Sequence, residues 1–199
     1  MKRCLILDYG VGNIASIRTF LRDNNYSVTF GKNLQDIRET DLLVLPGVGS
    51  FETAAERMNL DDIADEIRRR HLTQRPILGI CLGFQLLTSE SAESTSSKGL
   101  GILQTTTRRL KEFSQIGWDK IEFQDFENLD LDDYYFFNHS YGVYDLENAD
   151  VIGRSGQSDY LSIVIVNKTV GVQFHPERSQ ESGKKFLRLL ENEFWSLHD

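Results

Sequence analysis

Cysteine is scarce in this chain: 199 residues contain two, Cys4 and Cys81. They form no C-x-x-C pair and no metal-ligand set with the 4 scattered histidines, and one possible bridge does not make a secreted disulfide framework. Basic charge is also in deficit. Lys and Arg number 22 against 30 Asp and Glu, a formal charge of −8. A general nucleic-acid-binding surface needs the opposite balance. No apolar run approaches the length of a membrane span, and the run inside MKRCLILDYG is too short for a signal peptide. These absences point to a cytoplasmic protein with reduced thiols and no nucleic-acid or membrane partner. Internal repeats and domain linkers are missing too. Residues 1–199 are therefore expected to form one domain with room for a sizeable core.

What is present is a rhythm of short apolar runs and helical patterns. CLILD (4–8), YSVTF (26–30), DLLVLP (41–46) and PILGI (76–80) read as strands. Segments 13–24, 34–39, 51–71 (with a break near Asn59) and 82–90 read as helices. Near-continuous apolar strands separated by helices predict a parallel sheet covered on both faces. The later half is richer in strand-like segments: GILQTTTRRL, WDKIEFQ, DYYFFNHSYGVYDL, VIGRS, LSIVIVN and TVGVQF. An amphipathic helix over 179–197 closes the chain. The expected fold is α/β: three-layer, doubly wound, with a mainly parallel sheet and added antiparallel strands. Such folds bind ligands beyond the carboxyl ends of their strands.

Three of those ends carry chemistry. In RPILGICLGFQLL (75–87), Cys81 sits between Gly79 and Gly83, where a strand passes into a helix. G-x-C-x-G in that setting has the form of a nucleophile elbow, with the glycines making room for a sharp turn. A free thiol is only a few per cent ionised at neutral pH, so a base is still required. Cys81 alone could equally be a packing residue, because free cysteines are commonly buried. In VGVQFHPERS (170–179), Pro176 holds His175 extended, and residues i and i+2 of an extended segment share a side. Glu177 can then orient the His175 imidazole, as in a catalytic triad. In LLVLPGVGSF (42–51), the glycines let backbone N–H groups approach a ligand as an anion nest or oxyanion hole. A fourth glycine motif is a decoy. Gly10-x-Gly12-x-x-Ala15 matches the relaxed dinucleotide fingerprint, but the second strand runs into Gly31-Lys32-Asn33 without the required acid.

With these elements in this order, the chain resembles the class I (triad) glutamine amidotransferases over nearly its whole length. GICLGFQLL resembles the nucleophile motif, GVQFHPERS the His-Glu motif and PGVGSF the oxyanion strand. Within that family, DYGVGNIASI, GLGIL, IGWD, FNHSY and HPERSQ resemble the glutaminase subunits of histidine biosynthesis. The resemblance implies a flavodoxin-like three-layer fold, glutamine as substrate, no metal and no organic cofactor. It implies Cys81 as nucleophile, His175 as base and Glu177 as its orienting partner. Gly49 and Leu82 would supply oxyanion N–H groups. Gly47, Gln85, Glu93, Ser140 and Tyr141 would hold the substrate. A (β/α)₈-barrel cyclase subunit would be the partner, met by Asn13, Trp118 and Arg178.

The family usually has V-P-H-x-G-W-N where this chain has Phe113-Ser114-Gln115-Ile116-Gly117-Trp118-Asp119. Arg178 stands where lysine is common, and Asn138 where a small apolar residue is common. These departures spare the triad and cluster where the family meets its partner. A paralogous glutaminase feeding a sugar amidotransferase in surface-polysaccharide synthesis is the alternative, and a catalytically silent subunit on the same fold is another.

Overall fold

The computed structural model describes residues 1–10, 14–60, 62–111, 114–124 and 133–195. Asn13, Gly12 and Phe113 lie outside the described residues. The chain order starts as β1 (Lys2–Leu7), α1 (Ile14–Asp23), β2 (Tyr26–Gly31), α2 (Leu34–Glu39) and β3 (Leu42–Leu45). It continues as α3 (Phe51–Met58), α4 (Ile63–Leu72), β4 (Ile77–Ile80), α5 (Leu82–Leu87), β5 (Thr88–Ser91) and β6 (Leu103–Arg109). Then come β7 (Gln115–Gln124), β8 (Tyr134–His139), β9 (Tyr141–Val143), β10 (Val151–Ser155), β11 (Leu161–Val166) and β12 (Thr169–Val172). A 3₁₀ turn (Pro176–Arg178), α6 (Gln180–Leu189) and a π-helical segment (Leu190–Trp195) follow.

The strands form one mixed sheet in the order β2-β1-β3-β4-β12-β11-β10-β7-β8, with β5, β6 and β9 branching from it. The first five are mutually parallel. From β12 onward the main path is antiparallel. Full burial of β1 hides a clean period of two. Cys4 and Ile6 pack into one layer with Ile17, Phe20 and Leu21 of α1 and Phe186 and Leu187 of α6. Leu5 and Leu7 pack into the other, with Ile37 of α2, Ala54 and Met58 of α3 and Ile67 of α4. Alternating Cβ directions therefore feed two cores, one on each sheet face. Among the described residues, no helix is long and apolar enough to cross a membrane.

Local chemistry explains where elements stop. The Asn33 side chain accepts from the Gln35 and Asp36 amides and caps α2. The expected 51–71 helix is two helices, broken between Met58 and Ile63, with Asp62 left-handed at φ 60°. The expected 82–90 helix is wrong at its end. Thr88 donates its hydroxyl to the Gln85 carbonyl at 2.7 Å, and the chain leaves as β5 to pair with β6. Side-chain bonding to a carbonyl one turn back competes with helix continuation. The 179–197 helix is α-helical only to Leu189. Beyond it the turn widens, and Trp195 docks its indole N–H on the Lys168 carbonyl.

Candidate active site

Three neighbouring strands, β3, β4 and β12, end side by side. Their next residues are Pro46-Gly47, Cys81 and Gln173-Phe174-His175. Register therefore places the glycine turn on one flank of Cys81 and the histidine on the other.

Cys81 adopts φ 51° and ψ −103°, outside the regions open to ordinary residues. Its neighbours over-determine that shape. The Cys81 amide donates to the Val172 carbonyl at 2.7 Å, and the Cys81 carbonyl accepts the Gln85 amide at 3.1 Å. A Cβ on Gly83 would stand 2.0 Å from the Leu45 carbonyl oxygen. The glycines flanking Cys81 are thus demanded by backbone crowding, as the elbow reading requires.

His175 is extended, at φ −104° and ψ 94°. The strand does not continue through Glu177, however. Pro176 opens a 3₁₀ turn, a position its fixed φ suits. That turn, rather than strand alternation, brings Glu177 Oε1 within 2.9 Å of His175 Nδ1. Both side chains are buried, at 3% and 1% exposure. Ser179 holds the turn to β8: its hydroxyl donates to the His175 carbonyl at 2.7 Å and accepts the Phe136 amide at 3.0 Å. With Nδ1–H given to Glu177, Nε2 is the imidazole nitrogen left to serve the thiol. Burial lowers the His175 pKa, but the nearby Cys81 sulfur and the Glu177 carboxylate outweigh burial and raise it from 6.5 to about 10.

That shift has a sign. A group raised above its unfolded value stabilises the fold below the unfolded pKa, and its contribution fades as pH rises through the folded value. Native protein should therefore lose stability between about pH 7 and 10 relative to His175→Gln. Urea midpoints for both proteins across that range check it. Parallel pH profiles would contradict the assignment.

The remaining predicted residues surround this centre. Gly47 is buried so tightly that a Cβ would lie 1.7 Å from the Ile80 carbonyl oxygen and 2.9 Å from the Leu82 nitrogen. The Gly47 backbone is therefore beside the first amide of α5. Gly49 is exposed at φ 137°. Gln85 is buried and donates Nε2 to the Tyr141 carbonyl at 2.8 Å. Ser140 is the bend between β8 and β9, its carbonyl accepting the Leu110 amide. Glu93 accepts the Phe51 amide at 3.3 Å, at the start of α3. Its pKa is raised, mainly by burial. The polar 91–99 loop thus folds back across α3, and Ser96 also donates to Glu52 there at 2.6 Å. The Trp118 ring and the Arg178 guanidinium gather around Phe136 on the β8 side, while the Arg178 amide donates to the His175 carbonyl at 3.0 Å.

Four contributors escaped the sequence reading. Tyr9, buried, donates its hydroxyl to the Pro46 carbonyl and so pins the glycine turn; burial and the nearby Cys81 keep it protonated. His139 donates Nδ1–H to the Tyr141 carbonyl at 2.8 Å. Burial takes its pKa down to about 4, so it stays neutral beside His175. Gln173 reaches Cys81 Sγ, and Ser179 ties the His175 turn to β8. The arrangement can deprotonate a thiol, hold the resulting charge pair and return a proton to a leaving group, which is acyl-transfer chemistry.

Comparison with known proteins agrees. A family model described as glutamine amidotransferase class-I matches residues 5–197. The imidazole glycerol phosphate synthase subunit HisH of Symbiobacterium thermophilum is 35% identical over 200 residues, covering 96% of this chain and 93% of that protein. The subunit of the same name from Pyrococcus furiosus is 36% identical, covering 94% and 97%. A crystal structure of a glutamine amidotransferase superposes with TM-score 0.79 at 20% identity, covering 97% of this chain and 99% of that one. The PurLQS structure from Thermotoga maritima gives 0.76 at 20%, covering 96% and 99%. These structures speak for the fold; the family model and the relatives, matched nearly end to end, establish that this chain belongs to the class I glutamine amidotransferases.

Proposed function

We propose that the chain is the glutaminase subunit of an imidazole glycerol phosphate synthase, hydrolysing glutamine and passing ammonia to a (β/α)₈-barrel cyclase subunit. The observation that carries the chemistry is the buried His175–Glu177 pair, 2.9 Å apart, placed at the strand end next to that of Cys81. The pathway rests on the relatives named above.

In this mechanism Cys81 Sγ gives its proton to His175 Nε2 and attacks the carboxamide carbon of glutamine. The carbonyl electron pair moves to oxygen, where N–H groups at Gly49 and Leu82 receive it. Collapse of that intermediate expels ammonia, which takes the proton from His175. A site that favours protonated His175 suits this acid step. The imidazole is then neutral and can take a proton from water as it attacks the thioester. Glutamate leaves, and sulfur regains its proton. Gln85, Glu93, Ser140, Tyr141 and the turn at Gly47 hold the substrate around these atoms.

The partner face is the outer side of β7 and β8. Ile116, Trp118 and Tyr134 are 70%, 43% and 57% exposed. Trp118 packs edge-on to Phe136, and the Arg178 guanidinium covers the Phe136 ring at 3.9 Å. Apolar exposure ringed by polar groups marks an interaction site. Trp118→Ala should weaken binding of the barrel subunit about tenfold or more, in line with interface tryptophans elsewhere. Titration of that subunit, followed by glutamate release, measures this.

What favours the sugar-pathway alternative is the departure from the family pattern around Trp118, where the departing residues are bonded into the fold. Gln115 accepts the Tyr160 hydroxyl at 2.5 Å and donates to buried Asp119 at 3.0 Å. Ser155 also donates to Asp119. The deciding experiment is glutamate release with and without the histidine-pathway cyclase and its nucleotide ligand. Stimulation supports the proposal. Cys81-dependent release that ignores the cyclase moves the protein to the alternative.

A further inference from the structure

We propose that Gln173 donates a hydrogen bond to the Cys81 sulfur and steadies its thiolate, with Gln85 setting the direction of that bond. The proposal rests on Cys81 being the nucleophile.

Gln173 is fully buried and lies two residues before His175, in the bend that follows β12. Gln173 Nε2 is 3.5 Å from Cys81 Sγ, and Gln173 Oε1 is 3.3 Å from Gln85 Nε2. Gln85 Nε2 is in turn 2.8 Å from the Tyr141 carbonyl.

An amide's two ends look alike in shape but not in chemistry. A backbone carbonyl only accepts, so Tyr141 must face the NH₂ end of Gln85. That NH₂ group needs an acceptor at Gln173, so it meets Oε1. The NH₂ end of Gln173 is then left facing sulfur. One backbone oxygen fixes the polarity of the whole chain.

Sulfur has a second neighbour of opposite kind. The Asn138 carbonyl lies 3.9 Å away, placed to accept S–H. It can serve only the thiol. The Gln173 amide can serve the thiolate that appears once His175 holds the proton. The pair brackets the two forms that the reaction interconverts. It also ties the nucleophile to Tyr141, in the segment assigned above to the substrate.

The test is iodoacetamide capture of Cys81 in the full chain, located by mass spectrometry and followed against pH. Gln173→Met preserves size and adds no charge, but offers sulfur no donor. Gln85→Glu leaves Gln173 in place and obliges its amide to turn, presenting oxygen to sulfur. Both variants should move the alkylation curve up by about one pH unit, the scale of a hydrogen bond to a charged group. Below the midpoint of that curve the rate should fall only about threefold, because the less acidic thiolate is the stronger nucleophile. Folded variants that alkylate like native protein would overturn the proposal. If Gln173→Met does not fold, Gln85→Glu decides alone. Glutamate release that survives Cys81→Ala would instead overturn the nucleophile assignment.

Discussion

Cys81→Ala should abolish glutamate release in the assembled enzyme, by about a thousandfold or more, as expected when one member of a catalytic unit is removed. The fold should persist. Cys81 is held by its backbone, through the Val172 carbonyl and the Gln85 amide, and these bonds do not need sulfur. Alanine also retains the strained φ of 51° no less easily than cysteine. Melting temperature should therefore stay near native while turnover vanishes. The other cysteine provides the control. Cys4 is fully buried in β1, and burial pushes its thiol far above the ordinary cysteine range. Cys4→Ala should leave turnover largely intact and lower stability instead, through the small cavity it creates. Release that follows Cys4 rather than Cys81 would refute the assignment. Equal release by Cys81→Ala and native protein in the complex would make the chain a silent subunit.

The sequence exposed the parts of this site that depend on neighbours along the chain. Gly79, Cys81 and Gly83 announce an elbow because a sharp turn needs small residues at fixed offsets. His175-Pro176-Glu177 declares itself through the restriction that proline places on its predecessor. Even there a 3₁₀ turn, rather than strand alternation, positions Glu177. The hidden parts depend on partners far away in sequence. Gln173 and Cys81 are 92 positions apart, and Gln173 looks like one more residue in an apolar strand. Tyr9 reaches Pro46 across 37 positions. No local pattern records either contact. The fold shows the same division. Alternation and helical period predict most elements of the first half, whereas Thr88 leaves the helix for a strand whose partner, β6, comes later in the chain.

Gly47→Ala should cost the enzyme about a hundredfold or more in glutamate release, the scale of one lost oxyanion donor. The added Cβ would sit 1.7 Å from the Ile80 carbonyl oxygen, where non-bonded carbon contacts lie near ~3.5 Å. One side must move. The elbow is held from several directions, by β12 through Val172 and by the packing of Gly83 under Leu45. The glycine turn is held mainly at its start, by Tyr9 on Pro46, and Val48, Gly49 and Ser50 are exposed beyond it. The turn should therefore yield. Overpacking of this kind costs about 1–3 kcal/mol, enough to lower the melting temperature without unfolding the chain. Alkylation of Cys81 should then continue at close to the native rate, because sulfur, His175 and Gln173 remain in place. Loss of turnover with alkylation intact would locate the damage in the oxyanion turn. Loss of both would mean that the elbow gives way first. Native turnover would show that the Gly47 backbone does not need to approach the elbow closely for the reaction to proceed.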